Sequence, residues 1–310
     1  MKITGISIVR DEADIVRMTL LHRLAIGCDN ILVIDNGSTD DTPRVLEKLS
    51  RRYPVEWVSH DEPFRQAKMA TELAREAARA GADWVVPFDA DEFWWARTKP
   101  LRSLLEESSA GVLESRVVNF VQRRRQRRSS RSCIARMTWR AETVVSPTNP
   151  HFLVEAGTIA YVEGAYPPKQ IARATAGIEI SKGSHEIRGV PGPLELTDDL
   201  VCLHAPLRSR NELKKLAATA PRVWEESPDP GTAWQQKRWG RLASEGGLAE
   251  EWAANSQRRG NLDLMGMKRT LVFDTLLCDL VAPWLPLPQR LFRQLARLQR
   301  RSPLASEIDL

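Results

Sequence analysis

The sequence has 310 residues, long enough for one large domain or two modest ones that fold around their own core without disulfide or metal staples. Hydrophobic residues make up 42% and charged residues 27%, near globular averages, and no stretch approaches eighteen apolar residues, so a transmembrane span is excluded from the reading. The net charge of +5 suits an anionic partner, but the excess sits in two stretches, Gln122 to Arg128 and Leu287 to Arg301.

The opening MKITGISIVRDEAD carries acids straight after a short apolar run and has no small-residue cleavage site, so it reads as a buried first strand and not as a signal peptide. Ala13 to Gly27 follows with apolar positions at helical spacing. Asn30 to Ile34 is a second buried strand, ended by DNGSTDDT, and Pro43 to Arg52 resumes a helical pattern with Asp41 or Thr42 as N-cap. Cys28 and the other three cysteines, Cys133, Cys202 and Cys278, lack the paired spacing of a zinc site or redox motif, which predicts reduced thiols in a cytoplasmic protein. The third repeat runs from Val55 to Val58, with a helix from about Phe64 to Ala80, and a fourth strand, Asp83 to Phe88, delivers DADEFWW. This alternation predicts an α/β fold with a mainly parallel sheet, in which ligands bind beyond the carboxyl ends of the strands. The acidic clusters fall at those ends. After about Pro100 the pattern loosens, with β-like stretches at Ala110 to Phe120 and Ile178 to Ile180, and from Ser209 onward it returns to helix.

Asp89 and Asp91 flank Ala90 at a strand end, where alternation points both carboxylates the same way. Such a pair suits a hard cation, Mn2+ or Mg2+, which would clamp a diphosphate and offset the charge growing on its departing oxygen. The competing reading is a solvated strand end. Asp35 and Asn36 stand at the end of the second strand, where a carboxylate and a carboxamide read the edge of a base, and Gly37 permits close backbone approach.

VRDEADIV, VIDNGSTDDT and DADEF, in this order and spacing, resemble the family-two glycosyltransferases of the GT-A fold, a Rossmann-like sheet flanked by helices. The resemblance covers about the first hundred residues. It implies a nucleotide site drawn from Val9, Arg10, Glu12, Asp35, Asn36, Gly37, Asp89 and Ala90, with Asp35 on the nucleobase, Asp89 on the ribose or metal, and Asp91 on the metal. The opening turn, usually Asn-Glu in that family, is Asp11-Glu12 here; Glu12 matches and Asp11 departs. Arg65 and Lys68 stand where basic residues meet a diphosphate, with a solvated helix face as the alternative.

Pro167 to Ile171 followed by Gly183-Ser184-His185-Glu186 resembles the region where many GT-A enzymes return a histidine to the metal, which makes His185 the expected third ligand. Leu203 to Ser209 resembles the His-x-Pro-x-Arg-Ser stretch of bacterial family-two-like enzymes, with His204 as the competing ligand and Arg208 as a phosphate clamp. An inverting transferase needs a carboxylate base, and Glu155, Glu186, Asp198 and Asp199 are the candidates.

The expected organisation is a GT-A catalytic domain over 1–208, with residues 1–100 holding the nucleotide sugar and 101–208 shaping the acceptor site, then a helical C-terminal extension over 209–310. The expected activity moves a sugar from a UDP- or TDP-type donor to a hydroxyl of a glycan, lipid-linked glycan or secondary metabolite. A silent nucleotide-sugar-binding module is the rival, followed by a nucleotidyltransferase, whose Gly- and Arg-rich loop near residue ten is missing from VRDEAD. The Gln122 to Arg128 run reads as a solvated loop, and no helix or aromatic platform for nucleic acid accompanies it. Leu287, Leu291, Phe292, Leu295 and Leu298 line one side of a basic amphipathic stretch, which suits the inner membrane face, packing on the domain, or a homodimer contact.

Overall fold

The computed structural model describes residues 1–60, 65–125 and 133–285. The chain divides into two units, Met1–Val117 with Pro167–His204, and Val118–Tyr166 with the described residues from Ala205 on. The later junction lies between His204 and Ala205. The segment Val118–Tyr166 differs from the sequence grouping because its apolar side chains, Val121, Val154, Ile159 and Val162 among them, share a core with Leu207, Leu213, Trp239 and Trp252.

In the first unit the chain runs β1 (Ile3–Val9), α1 (Val16–Ala25), β2 (Asn30–Asp35), α2 (Thr42–Ser50), β3 (Val55–Ser59), α3 (Gln66–Arg79), β4 (Trp84–Pro87), β5 (Glu92–Ala96), α4 (Leu101–Glu107) and β6 (Val112–Ser115). Seven strands form one sheet in the order Leu194–Leu196, β6, Lys169–Arg173, β4, β1, β2, β3. The β4-β1-β2-β3 block is parallel, whereas Lys169–Arg173 runs antiparallel between β4 and β6. Strands buried on both faces have few polar positions, which is why Ile3 to Val9 and Trp84 to Pro87 read as near-continuous apolar runs. One stripe of α3, Met69, Ala70, Leu73, Ala74 and Ala77, covers the sheet over Ile6, Leu32, Ile34 and Val85. At the head of α2 the N-cap position is Asp41, as expected, but the carboxylate that accepts from Thr42 N, at 2.8 Å, is that of Asp40.

The second unit is helical over Arg210–Ala218, Ala220–Glu226, Trp234–Ser244 and Leu248–Ala254, and Ser209 caps the first of these by accepting from Glu212 N at 2.9 Å. The helical expectation is then interrupted by a hairpin, Asn261–Leu264 with Met267–Thr270, whose turn residues Met265 and Gly266 have φ of 49° and 83°. Two left-handed residues in a two-residue loop match strand twist, but Met-Gly lacks the Asn-Gly signature that announces such turns. Among the described residues no helix is long and apolar enough to cross a membrane. The basic stretch Leu287 to Arg301 and residues 126–128 of the other basic run lie outside the described residues.

Gly5 lies in β1 where a Cβ would stand 3.1 Å from Phe88 Cε1 and 3.3 Å from both Arg23 Cγ and Ile31 Cγ1. Gly5→Val is expected to lower the unfolding free energy by about 1–3 kcal/mol, as for other overpacked cores. Denaturant titration checks this, and an unchanged midpoint would refute the tight approach.

Candidate active site

The sheet register aligns the carboxyl ends of its central strands. Val9 is the partner of Asp35, and Ile6 of Pro87, so the loops after β1, β2 and β4 share one edge of the first unit. Asp35 and Asn36 are each 1% exposed. The Asp35 carboxylate accepts from Ser38 N at 3.3 Å and from Ser38 Oγ, Asn36 donates from its backbone to Val9 O at 2.9 Å and from Nδ2 to His60 O at 3.1 Å, and Gly37 turns the chain with φ of 66°.

Asp11 joins this loop to the one after β1. Its carboxylate accepts from Thr39 N at 2.6 Å, Asp40 N at 3.2 Å and Thr39 Oγ1 at 3.2 Å, and its own N–H donates to Ser38 Oγ at 2.8 Å. Asp40 and Thr42 return the tie by accepting from Ala13 N at 3.1 Å and Glu12 N at 2.7 Å. Asp11 holds φ of 54°, a left-handed conformation tolerated by Asp and Asn better than by most residues. Burial raises its pKa, but the backbone N–H groups of Thr39 and Asp40, the Thr39 hydroxyl and Arg10 together hold it below the usual carboxylate value.

The β4–β5 turn carries the acids. Asp89, with a 37% exposed side chain, accepts from Lys169 Nζ at 3.0 Å and Gln66 Nε2 at 3.2 Å. Lys169 Nζ also lies 2.5 Å from Glu92 Oε1 and donates to Gly183 O at 2.7 Å, while Glu92 Oε2 accepts from Asp89 N at 3.1 Å. Burial opposes the Lys169 ammonium, yet Asp89 and Glu92 keep its pKa above the ordinary lysine value; burial pushes the Glu92 carboxyl up against the pull of Lys169. One face of α1 fixes the turn's backbone from below: Thr19 Oγ1 donates to Ala90 O, Arg23 Nη2 to Glu92 O at 3.1 Å and His22 Nε2 to Trp94 O at 2.8 Å. Spacing of three and four residues brings these side chains to one side of the helix, and the strand alternates so that every second carbonyl meets them.

Asp91 lies 3.4 Å from His204 Nε2, at the end of the strand Leu200–His204, which pairs antiparallel with β5 and sets His204 opposite Glu92. Burial lowers the His204 pKa, but Asp91 and Glu92 raise it above the usual imidazole value. His185, placed first from sequence, instead has Nδ1 2.9 Å from Pro168 O; burial and the Lys169 charge lower its pKa. Among the described residues no three His, Cys, Asp or Glu side chains converge into a ready-made metal cluster.

The other expected residues are dispersed. Arg65 is exposed at the head of α3 and Lys68 pairs along the helix with Glu72 at 3.7 Å; the residue that reaches Asp89 is Gln66, between them. Arg208 is 1% exposed and forms an ion pair with Glu212 at 3.2 Å within the second unit. Glu155 accepts from Arg238 at 3.0 Å and Arg241 at 2.6 Å, and Glu186 pairs with Arg188 at 2.7 Å. Asp198 is exposed, and Asp199 accepts from Thr98 Oγ1 at 2.8 Å at the opposite end of the strand from His204, roughly 16 Å away for a chain rising about 3.3 Å per residue. Of the basic run, Gln122 is fully buried and donates to Cys133 O and Arg208 O, which corrects the solvated-loop reading at that residue. Sequence reasoning missed Lys169, Gln66 and Glu92, each of which lay inside or beside a quoted motif. A cavity of about 650 Å3 lies elsewhere, within the second unit, lined by Trp224, Trp234, Lys237 and Arg241.

The family model described as "Glycosyl transferase family 2" matches residues 9–163. No curated protein matches the chain. Among solved structures, S. aureus TarS 1-349 in complex with UDP is 13% identical with a TM-score of 0.39, the match covering 72% of this chain and 66% of that one. S. aureus TarS 1-349 in complex with UDP-GlcNAc gives 12% and 0.42, over 84% and 75%. Glucosyl-3-phosphoglycerate synthase from Mycobacterium tuberculosis, in complex with Mn2+, UDP-glucose and phosphoglyceric acid, gives 21% and 0.28, over 37% and 43%. This chain therefore spans less than two thirds of the first and last of these proteins, and at such scores no role is carried over from them.

Asp11→Ala is expected to destabilise the first unit by about 1–3 kcal/mol at pH 7, through two orphaned backbone donors and an alanine forced to positive φ. Because the folded-state pKa of Asp11 is depressed, its contribution is present above the unfolded value of 3.8 and fades as pH falls through the folded value. Denaturant titrations of the parent and Asp11→Asn, which removes the charge alone, check the sign: their difference should shrink below pH 3.8, and a gap that widens in acid would refute it.

Proposed function

Since the chain belongs to glycosyl transferase family 2 and is a glycosyltransferase of the GT-A fold, we propose that it moves a sugar from a UDP- or TDP-type donor to an acceptor hydroxyl, with inversion. The observation that carries the site assignment is the contact of Asp91 with His204 at 3.4 Å, beside the part-exposed Asp89 and at the same sheet edge as Asp35. A carboxylate facing an imidazole, with a second carboxylate two residues away, is an oxygen and nitrogen donor set that suits Mn2+ or Mg2+. Asp91 and His204 would hold the ion. When bound, it supplies charge neutralisation to the departing diphosphate.

The chain's own residues supply the rest. Asp35, buried and oriented by Ser38, accepts from a base N–H, and Gly37 lets the base approach the backbone. Asp89 lies two inter-strand spacings from Asp35, roughly 10 Å, a separation that one nucleoside bridges, and it accepts from the ribose. The β4–β5 backbone is held by Thr19, His22 and Arg23, so both aspartates are oriented before the donor arrives.

Thermal unfolding with UDP, GDP, TDP or CDP, each with and without Mn2+, tests the reading. UDP or TDP should raise the midpoint only with the metal, by an amount equivalent to about 2.7 kcal/mol at a hundredfold excess over Kd. Asp91→Asn and His204→Ala should each abolish the metal-dependent part. Nucleotide-sugar binding without transfer would support a silent module, and pyrophosphate release from a nucleoside triphosphate would support a nucleotidyltransferase.

A further inference from the structure

Lys169 opens the antiparallel strand Lys169–Arg173, yet its side chain is only 8% exposed and its ammonium sits among Asp89 Oδ2, Glu92 Oε1 and Gly183 O at 3.0, 2.5 and 2.7 Å. The ammonium donates to Asp89 Oδ2 and Gly183 O, and its contact with Glu92 Oε1 is an ion pair. Glu92 is 1% exposed and the strand register sets it opposite His204, the partner of Asp91. Asp89 and Glu92 thus crowd one buried lysine, with Asp91 following Asp89 in the same turn. Left uncompensated, that crowd would attract a divalent cation strongly and repel a diphosphate.

We propose that Lys169 is a built-in counter-cation of the donor site, offsetting one of the two charges of Asp89 and Glu92 so that Asp89 serves the donor's hydroxyls and the metal is left to Asp91 and His204. The inference rests on the donor-site reading above and deepens it. Lys169 is a positioning residue: it orients Asp89 and ties the Gly183 turn to the β4–β5 turn, while its charge sets how the site divides its affinity between cation and anion. Gln66 belongs to the same device, donating to Asp89 Oδ1 and accepting from Gly183 N at 3.3 Å.

A purely structural lysine and a counter-cation differ in the sign of their effects. Isothermal titration of MnCl2 alone, and of UDP in saturating MnCl2, into the parent chain, Lys169→Met, Lys169→Arg and Glu92→Gln, separates them. Lys169→Met should bind Mn2+ about tenfold tighter and UDP about tenfold weaker, a size typical of one charge removed at a few ångströms in a partly hydrated site. Lys169→Arg, which keeps the charge, should stay near the parent in both. Glu92→Gln removes a negative charge and should move both affinities the opposite way. Circular dichroism and melting establish that each variant is folded; if Lys169→Met is not, the opposed shifts of Glu92→Gln decide. Affinities that fall together in Lys169→Met, or that do not move, overturn the counter-cation while leaving the donor site intact. A parent chain that binds neither Mn2+ nor UDP overturns the donor-site reading and this inference with it.

Discussion

The ammonium of Lys169 between Asp89 and Glu92 is the interaction on which the site's architecture depends. A parallel sheet focuses polar groups at the carboxyl ends of its strands, and here that edge carries three acids in four residues. Removing ions from water costs several kcal/mol each, so such a cluster persists only if geometry returns the loss through opposite charge and satisfied donors. The position of Lys169 explains an otherwise arbitrary feature of the fold. An antiparallel strand inserted between β4 and β6 brings its first residue to the carboxyl end of β4, where a parallel strand would bring its last.

Beneath the same turn, α1 gives up part of its apolar face to hold backbone carbonyls. Arg23 is fully buried, packs 4.2 Å over the Phe88 ring and reaches Glu92 O, and burial lowers its pKa to about 10, which still leaves it charged at neutral pH. His22 is driven to about 3 by burial and the adjacent Arg23, so it remains a neutral hydrogen-bond donor to Trp94 O. Two basic residues side by side in one helix therefore do different work, one as a fixed charge and one as a neutral donor. Fixing three alternate carbonyls leaves Asp89 and Asp91 little freedom to reorient, which is the preorganisation a transfer site requires.

The parts legible in the sequence were those in which burial dictates pattern. β1, β2 and β4 are enclosed on both faces, so their apolar runs and the acids that end them could be read directly. Polar residues that work in the interior follow no such periodicity. Thr19, His22 and Arg23 look like ordinary interruptions of an amphipathic helix, and Lys169 after two prolines looks like a solvated loop lysine. The contact between Asp91 and His204 was hidden for a related reason: motif likeness favours His185, but the antiparallel pairing of Leu200–His204 with β5, a contact across more than a hundred residues, puts His204 beside Asp91. Arg208 pairs with Glu212, four residues on in the next helix, a local contact that motif likeness does not signal.

The two ends of the proposed donor site are therefore built on different physics. Around Asp35 the contacts are hydrogen bonds from Ser38, braced by Asp11 and Asp40 across two loops, and Asp11 succeeds where the resemblance expects Asn because its carboxylate accepts three donors at once. Directional hydrogen bonds discriminate between bases by geometry and depend little on ionic strength. Around Asp89 the contact with Lys169 is between full charges, whose balance governs how strongly a diphosphate is held and how readily it is released. Separating recognition from charge management lets the nucleobase be read stringently while the diphosphate end stays close to electrostatic balance, as turnover demands of a site that must bind a charged donor and then discharge its product.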